Sequence, residues 1–346
     1  MQASIAAIEY YLPEDTLTTE DLAKEFPEWS VDKIDGKTGI RTRHIAGASE
    51  CASDLAVAAA RKLFDTGVCG PESIDYILLC TQTPDYLLPT TACLIQDRLG
   101  IPMTAGAFDF NLGSSGYVYG LGMAQGLIAT GQASRILFLT SDTYSKLLHP
   151  RDRSVRTIFG DAAAATLLAA EEAGAPRLGP FVYGTDGRGL VNLLVPAGGM
   201  RTPRGPETAV AVEDSAGNVR SQDNLYMSGG DIFTFTIQTV PRMVNALLQK
   251  AAIGIADVDL FVFHQANEYM LDYLRKRLKI PCEKFQISMD HCGNTVSCTI
   301  PIALKDADSA GKLKSGMNVM LVGFGVGYSW GATLMKWRDM PSHDGQ

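Results

Sequence analysis

The chain has 346 residues, 46% hydrophobic and 20% charged, with seven cysteines and a net charge of −8. That is a globular profile with room for about two domains; its negative charge argues against general nucleic-acid binding and leaves any acidic partner to find a local basic patch. No apolar run reaches the ~18 residues of a membrane span, and Met1–Tyr10 lacks the basic start of a signal peptide. Cysteines without framework or metal-ligand spacing point to reduced thiols, a cytoplasmic location and no metal site.

In chain order, Ser4–Tyr11 reads as a first strand, Thr19 opens a short helix, and Gly39–His44 is a basic turn or strand. Ala52–Phe64 reads as helix, Tyr76–Cys80 as a buried strand after Asp75, and Thr90–Leu99 as helix stopped by Gly100 and Pro102. Phe108–Tyr117 is a short strand, a glycine turn and the start of a helix from about Ser115 to Thr130. Its apolar face is Tyr117, Leu121, Ala124, Leu127 and Ile128, and Gly131 stops it. Arg135–Ser141 and the small-residue run Ala162–Ala169 are further strands, and Glu171–Pro176 is a hinge dividing an N-terminal half, 1–174, from a C-terminal half, 175–346.

The second half opens with strand near Arg177–Tyr183, and a polar stretch, Gly198–Asn224, reads as a long surface excursion. Asp231–Ala251 is helical with Pro241 inside it, Leu260–His264 is strand, and Glu268–Leu278 is helix. His291–Thr295 opens a helix to about Ala310. Met317–Val322 is a strand, and Gly323–Gly327 is a glycine turn before the last strand, Ser329–Trp337. Strands alternating with helices predict an α/β fold with mostly parallel sheets.

The halves echo each other. Asp75–Cys80 matches Asp259–His264, and both strands precede a helix ending in Arg98-Leu-Gly-Ile-Pro102 or Arg277-Leu-Lys-Ile-Pro281. Gly113-Ser114 matches Gly293-Asn294, each opening a helix, and Ala165-Thr-Leu167 matches Ala332-Thr-Leu334. A duplicated unit places Ser114, His264 and Asn294 at related strand ends and helix starts, the edge at which α/β sheets bind ligands. Taken alone, Ser114 and Asn294 are simple helix caps and His264 a satisfied strand-end histidine. Taken together, they place a nucleophile at a helix N-terminus, where an oxyanion meets preorganised donors.

The order and spacing of Ser114-Ser-Gly-Tyr after Asp109, Phe159-Gly-Asp161, His264-Gln-Ala-Asn267, Gly293-Asn-Thr295 and Phe324-Gly-Val-Gly-Tyr-Ser-Trp-Gly331 resemble the β-ketoacyl-acyl carrier protein synthase III family of the thiolase superfamily over nearly the whole chain. The resemblance implies a five-layered αβαβα fold, a homodimer, and a Cys-His-Asn catalytic set in which His264 and Asn294 are the His and Asn. Ser114 falls where the family has cysteine. Two readings stand open: a natural serine activated by His264, or an engineered serine replacing the nucleophilic thiol. The resemblance implies that an acyl-CoA acylates residue 114 and that decarboxylative Claisen condensation follows, with a malonyl thioester on an acyl carrier protein, in fatty acid or polyketide-type biosynthesis. A priming or ester-forming acyltransferase and a non-catalytic acyl-binding subunit are the alternatives. No cofactor is implied beyond the coenzyme A thioester substrate.

By the same resemblance, the N–H groups of Ser114 and Val326 form the oxyanion hole, and Trp29 and Arg153 flank the coenzyme A adenine. Arg275, Lys276 and Arg277 belong to the carrier-protein docking helix, and Leu88 closes the partner subunit's acyl tunnel. From residue type alone, Arg41 and Arg43 are a solvated face or a phosphate contact, and Cys80 is a core thiol.

Overall fold

The computed structural model describes residues 1–172 and 178–340. The N-terminal half runs β1 (Gln2–Tyr11), β2 (Asp15–Thr18), α1 (Thr19–Glu25), α2 (Val31–Thr38), β3 (Thr42–Ile45), α3 (Ala52–Asp65), β4 (Tyr76–Cys80), α4 (Thr91–Leu99), β5 (Gly106–Phe110), α5 (Gly116–Ala129), β6 (Arg135–Asp142), α6 (Arg153–Arg156) and β7 (Ala162–Glu171). The C-terminal half runs β8 (Leu178–Thr185), the short strands β9 (Leu193–Leu194), β10 (Val212–Glu213), β11 (Val219–Arg220) and β12 (Tyr226–Met227), then α7 (Gly229–Ala251), β13 (Leu260–Phe263), α8 (Glu268–Arg277), β14 (Phe285–Gln286), α9 (Thr299–Ser309), β15 (Asn318–Gly325) and β16 (Ser329–Lys336). The expected hinge and the 174/175 boundary fall largely on residues 173–177, outside the described residues.

The duplication read from the sequence is present strand for strand. One sheet has the order β1-β7-β6-β4-β5 and the other β8-β16-β15-β13-β14. The two aspartates at the matched strand starts do the same work. Asp75 accepts from the N–H groups of Ser134 and Arg135 at 2.7 and 3.0 Å, and Asp259 accepts from Asn318 N–H at 2.8 Å. Each carboxylate pins the beginning of the next parallel strand.

The expectation of mostly parallel sheets is corrected. In each sheet the two inner pairings around β4 or β13 are parallel, while β6–β7 and β7–β1, like β15–β16 and β16–β8, are antiparallel. β15 and β16 are joined by a turn of a few residues, a connection that permits only an antiparallel pair.

Three apolar layers hold the five structural layers together. α5 and α9 pack between the sheets, with Tyr117, Leu121, Ile128, Ile300 and Leu304 in one buried cluster. α3 and α4 cover the outside of the first sheet through Leu55, Ala59, Leu63, Ala92 and Ile95. α7 and α8 cover the second through Val244, Leu247, Met270, Leu271 and Leu274. A helix buried on both sides must be apolar around its circumference, as α5 is, and only a two-sheet sandwich gives it such a place. Among the described residues, no helix is long and apolar enough to cross a membrane.

Arg43 is not a solvated or phosphate-facing residue. It is fully buried, its Nε donates to Thr157 O at 3.2 Å and its Nη1 to Thr19 Oγ1 at 2.9 Å. Its guanidinium ties β3 to the segment after α6, so its role is structural. Arg43→Met is therefore expected to destabilise the protein by roughly 1–3 kcal/mol, because buried acceptors lose their donor. A denaturation midpoint equal to the native value would show that the network is dispensable.

Candidate active site

Ser114 lies in the turn between β5 and α5. Its neighbour Ser115 holds the N-cap position, but its hydroxyl is turned inward, 2.5 Å from Ser329 Oγ in a buried pair. Gly116 has to be glycine, since a Cβ there would lie 2.2 Å from Cys80 Sγ. The turn is thereby pressed against the end of β4. Cys80 is a buried thiol bonded to Leu112 O at 3.0 Å, with its pKa pushed up by burial, and so is a core thiol as expected.

The last strand pair approaches the same turn. A Cβ on Gly325 would sit 3.3 Å from Ser114 Oγ. The expected glycine turn from Gly323 is corrected: β15 continues through Gly325, and the turn begins at Val326. The ladder to β16 holds as far as Gly325↔Ser329, which fixes Gly325 against Ser114 more firmly than a free loop would.

His264 directly follows β13, with its N–H bonded to Val322 O at 2.8 Å. The side chain is 4% exposed, its Nδ1 is 2.8 Å from Thr299 Oγ1, and its ring meets Phe324 edge-on at 5.5 Å. Burial lowers its pKa to about 3, so the resting imidazole is neutral.

Asn294 does not open a helix. A short 3-10 turn, Val296–Cys298, intervenes before α9 begins at Thr299. The other half of the molecule fixes its place: Asn294 N donates to Ile158 O at 3.0 Å, and Gly160 N donates to Asn294 O at 3.1 Å. Its Oδ1 accepts from Val296 N–H at 3.0 Å, and one Nδ2 proton leans toward Ala266 O at 3.4 Å. With the carbonyl end so occupied, the amide offers a donor. Behind this turn, the buried Asp142 carboxylate accepts from Ser297 Oγ at 2.5 Å and Gln82 N at 2.8 Å. Burial raises its pKa to about 7 against the pull of those donors.

Ser114, His264 and Asn294 line one cavity of about 120 Å³, together with Phe324, Gly325 and Val326. Its apolar wall includes Leu193, Met227, Ile232 and Met270, supplied by β9, β12, α7 and α8. The sequence reading missed this wall. It lies around the stretch taken as a surface excursion, whose flanks fold back onto the site through Leu193 and Leu225. A hydroxyl, a neutral imidazole and an amide donor beside an apolar wall suit attack on an acyl carbonyl, with the chain held away from water.

Trp29 and Arg153 are brought together, the guanidinium carbon 5.6 Å from the indole centre. Lys33 and Lys37 stand 4.9 and 5.1 Å from the same ring. Arg153 also pairs with Glu28 and bonds Ala216 O. On α8, Asp272 takes both Arg275, at 2.7 Å, and Lys276, at 2.6 Å; no ion pair of Arg277 is present among the described residues. Asp35, Glu268, Asp272 and Asp290 line the adjoining groove. The C-terminal end of α8 is thus less cationic than its sequence suggests. Leu88 is 82% exposed and is not among the residues that line the Ser114 cavity.

The profile of 3-oxoacyl-[acyl-carrier-protein (ACP)] synthase III matches residues 108–187, and that of its C-terminal part matches residues 248–337. The chain is 36% identical to a β-ketoacyl-[acyl-carrier-protein] synthase III of Caldanaerobacter subterraneus subsp. tengcongensis, covering 97% of this chain and 98% of that one. It superposes on a crystal structure of a 3-oxoacyl-(acyl-carrier-protein) synthase III with a TM-score of 0.96 at 53% identity, covering 97% of this chain and 100% of the other. On the Pseudomonas aeruginosa PAO1 3-oxoacyl-(acyl carrier protein) synthase III the TM-score is 0.86 at 32% identity, with coverages of 98% and 99%.

Proposed function

The chain belongs to the β-ketoacyl-acyl carrier protein synthase III family, and from that premise we propose that it transfers an acyl group from an acyl-CoA to Ser114 and condenses it with a malonyl thioester on a carrier protein, in fatty acid or polyketide-type biosynthesis. One observation carries the reading: Ser114 from one half, and His264 and Asn294 from the other, converge on one apolar-walled cavity. In the first step, Ser114 Oγ attacks the thioester carbonyl carbon and the C–S bond breaks. The N–H groups of Ser114 and Val326 hold the developing oxyanion. In the second, the malonyl thioester loses carbon dioxide, and its carbonyl oxygen takes up negative charge as the enolate forms. Asn294 Nδ2 donates to that oxygen beside the His264 ring and stabilises the charge. The enolate carbon then bonds to the ester carbonyl carbon, the C–O bond to Ser114 Oγ breaks, and Oγ takes up a proton from water to regenerate the serine.

The test is intact-protein mass after incubation with acyl-CoAs of different length, followed by peptide mapping. The acyl group is expected on Ser114 and not on Ser115, whose hydroxyl is bound to Ser329. An acyl group mapped to Ser115 would overturn the assignment.

Trp29 and Arg153 are the residues proposed to flank the adenine, and Arg277, with Arg275 and Lys276, to meet the carrier. The functional unit is proposed to be a homodimer. β5 is an edge strand, its residues partly exposed and rich in apolar side chains, and its unpaired backbone groups are a ready template for pairing with the same strand of a second copy. Light scattering at micromolar concentration is expected to give twice the chain mass; a monomer would contradict the pairing. In the dimer, Leu88 is proposed to end the partner's acyl tunnel. Leu88→Phe should then shift preference from medium chains toward acetyl by about tenfold, since two buried methylenes are worth about 1.6 kcal/mol. An unchanged chain-length profile would place the tunnel's end elsewhere.

A further inference from the structure

We propose that Thr299 is a positioning residue that holds His264 in the tautomer protonated on Nδ1, so that Nε2 offers its lone pair as the base for Ser114. The proposal rests on Ser114 being the nucleophile. Thr299 opens α9 and is 2% exposed. Its Oγ1 lies 2.8 Å from His264 Nδ1 and 3.2 Å from the carbonyl oxygen of Val296. A hydroxyl has one proton to give and a carbonyl can only accept. The bond to Val296 therefore uses the Thr299 proton, and Oγ1 is left to accept from Nδ1–H. A neutral imidazole protonated on Nδ1 carries its lone pair on Nε2.

Val296 ties this to the other half of the site. It holds a φ of +57°, a conformation that a β-branched residue adopts only under constraint. In that conformation its N–H meets Asn294 Oδ1 at 3.0 Å while its carbonyl meets Thr299. One strained residue thus turns Asn294 into a donor and, through Thr299, His264 into an acceptor. The cavity receives one of each. In acylation, the Ser114 proton passes to Nε2 as Oγ bonds to the carbonyl carbon. The departing thiolate takes that proton back from Nε2 as the C–S bond breaks, and the imidazole returns to its starting tautomer.

The experiment compares the native protein with Thr299→Val and Thr299→Ser, using 15N-labelled histidine. Nitrogen NMR is expected to show Nδ1 protonated and Nε2 bare in the native and Ser proteins, and a shift toward Nε2–H in the Val protein. Acylation by acyl-CoA should slow by about a hundredfold or more in Thr299→Val, the scale of a lost general base, with KM unchanged, and recover to near the native rate in Thr299→Ser. Uncoupled decarboxylation of a malonyl thioester, which needs donors and no base, should persist in the Val protein. Native-like acylation by Thr299→Val, or a native tautomer that is Nε2–H, would overturn the proposal. A native protein that is not acylated at all would instead remove the reading of Ser114 as nucleophile, while the nitrogen spectra would still decide the tautomer.

Discussion

Ser114→Cys is expected to raise the rates of self-acylation and condensation by about a hundredfold or more, a fall of about 2.7 kcal/mol in the barrier. The position favours a thiolate more than it favours a hydroxyl. It lies one residue before the N-cap of the 14-residue helix α5, where backbone dipoles and free N–H groups lower a thiol's pKa. A serine there keeps its proton until a base takes it, and the only imidazole lining the cavity among the described residues is His264. The added sulfur has to fit against Gly325, where even a Cβ would come within 3.3 Å of Ser114 Oγ. A cysteine variant no faster than the native protein would reject the reading of Ser114 as a replacement for cysteine. It would favour a site tuned for serine, with His264 as its base.

Most strands were legible because they are short apolar runs set between turn residues. Tyr76–Cys80 is such a run, and its boundaries agree with the structure residue for residue. The duplication was legible for a different reason. Asp75 and Asp259 recur because each has to satisfy backbone N–H groups at the start of a neighbouring strand, a local need that any duplicate retains. The failures share a cause as well. Asn294 reads as a helix start because Gly293-Asn294 matches Gly113-Ser114 in the repeat, but Ile158 and Gly160, from the other half, hold its backbone. By residue type Arg43 reads as a solvated face or a phosphate contact, yet its guanidinium is buried and bonded to Thr19 and Thr157, partners that residue type does not reveal. α2 went unread. It buries only Ile34 and Thr38 and carries Gly36, so it has no apolar stripe to betray it. Thr299 left no sequence signal beyond a hydroxyl in the first turn of a helix; its importance depends on a histidine 35 positions away.

His264→Ala is expected to abolish acylation as well as condensation, whereas Asn294→Ala should leave acylation largely intact and lose condensation. The asymmetry follows from the two chemistries. Removing the proton of a serine hydroxyl needs a base, worth about a hundredfold to ten-thousandfold, and an amide cannot supply one. Stabilising the enolate needs donors, which Asn294 supplies. The pH profile separates this base from an ordinary histidine. Burial holds the His264 pKa at about 3, so its basic form is present throughout pH 5–9, and no loss of acylation centred near pH 6.5 is expected. Asp142 behaves in the opposite sense: burial raises its pKa to about 7, so it is protonated below that pH and gains charge above it, beside Ser297. An inflection near pH 7 therefore belongs to Asp142 and should vanish in Asp142→Asn. A loss of acylation below pH 6.5 that survives Asp142→Asn would mean that His264 is charged in the resting site, and the neutral-base mechanism would fail.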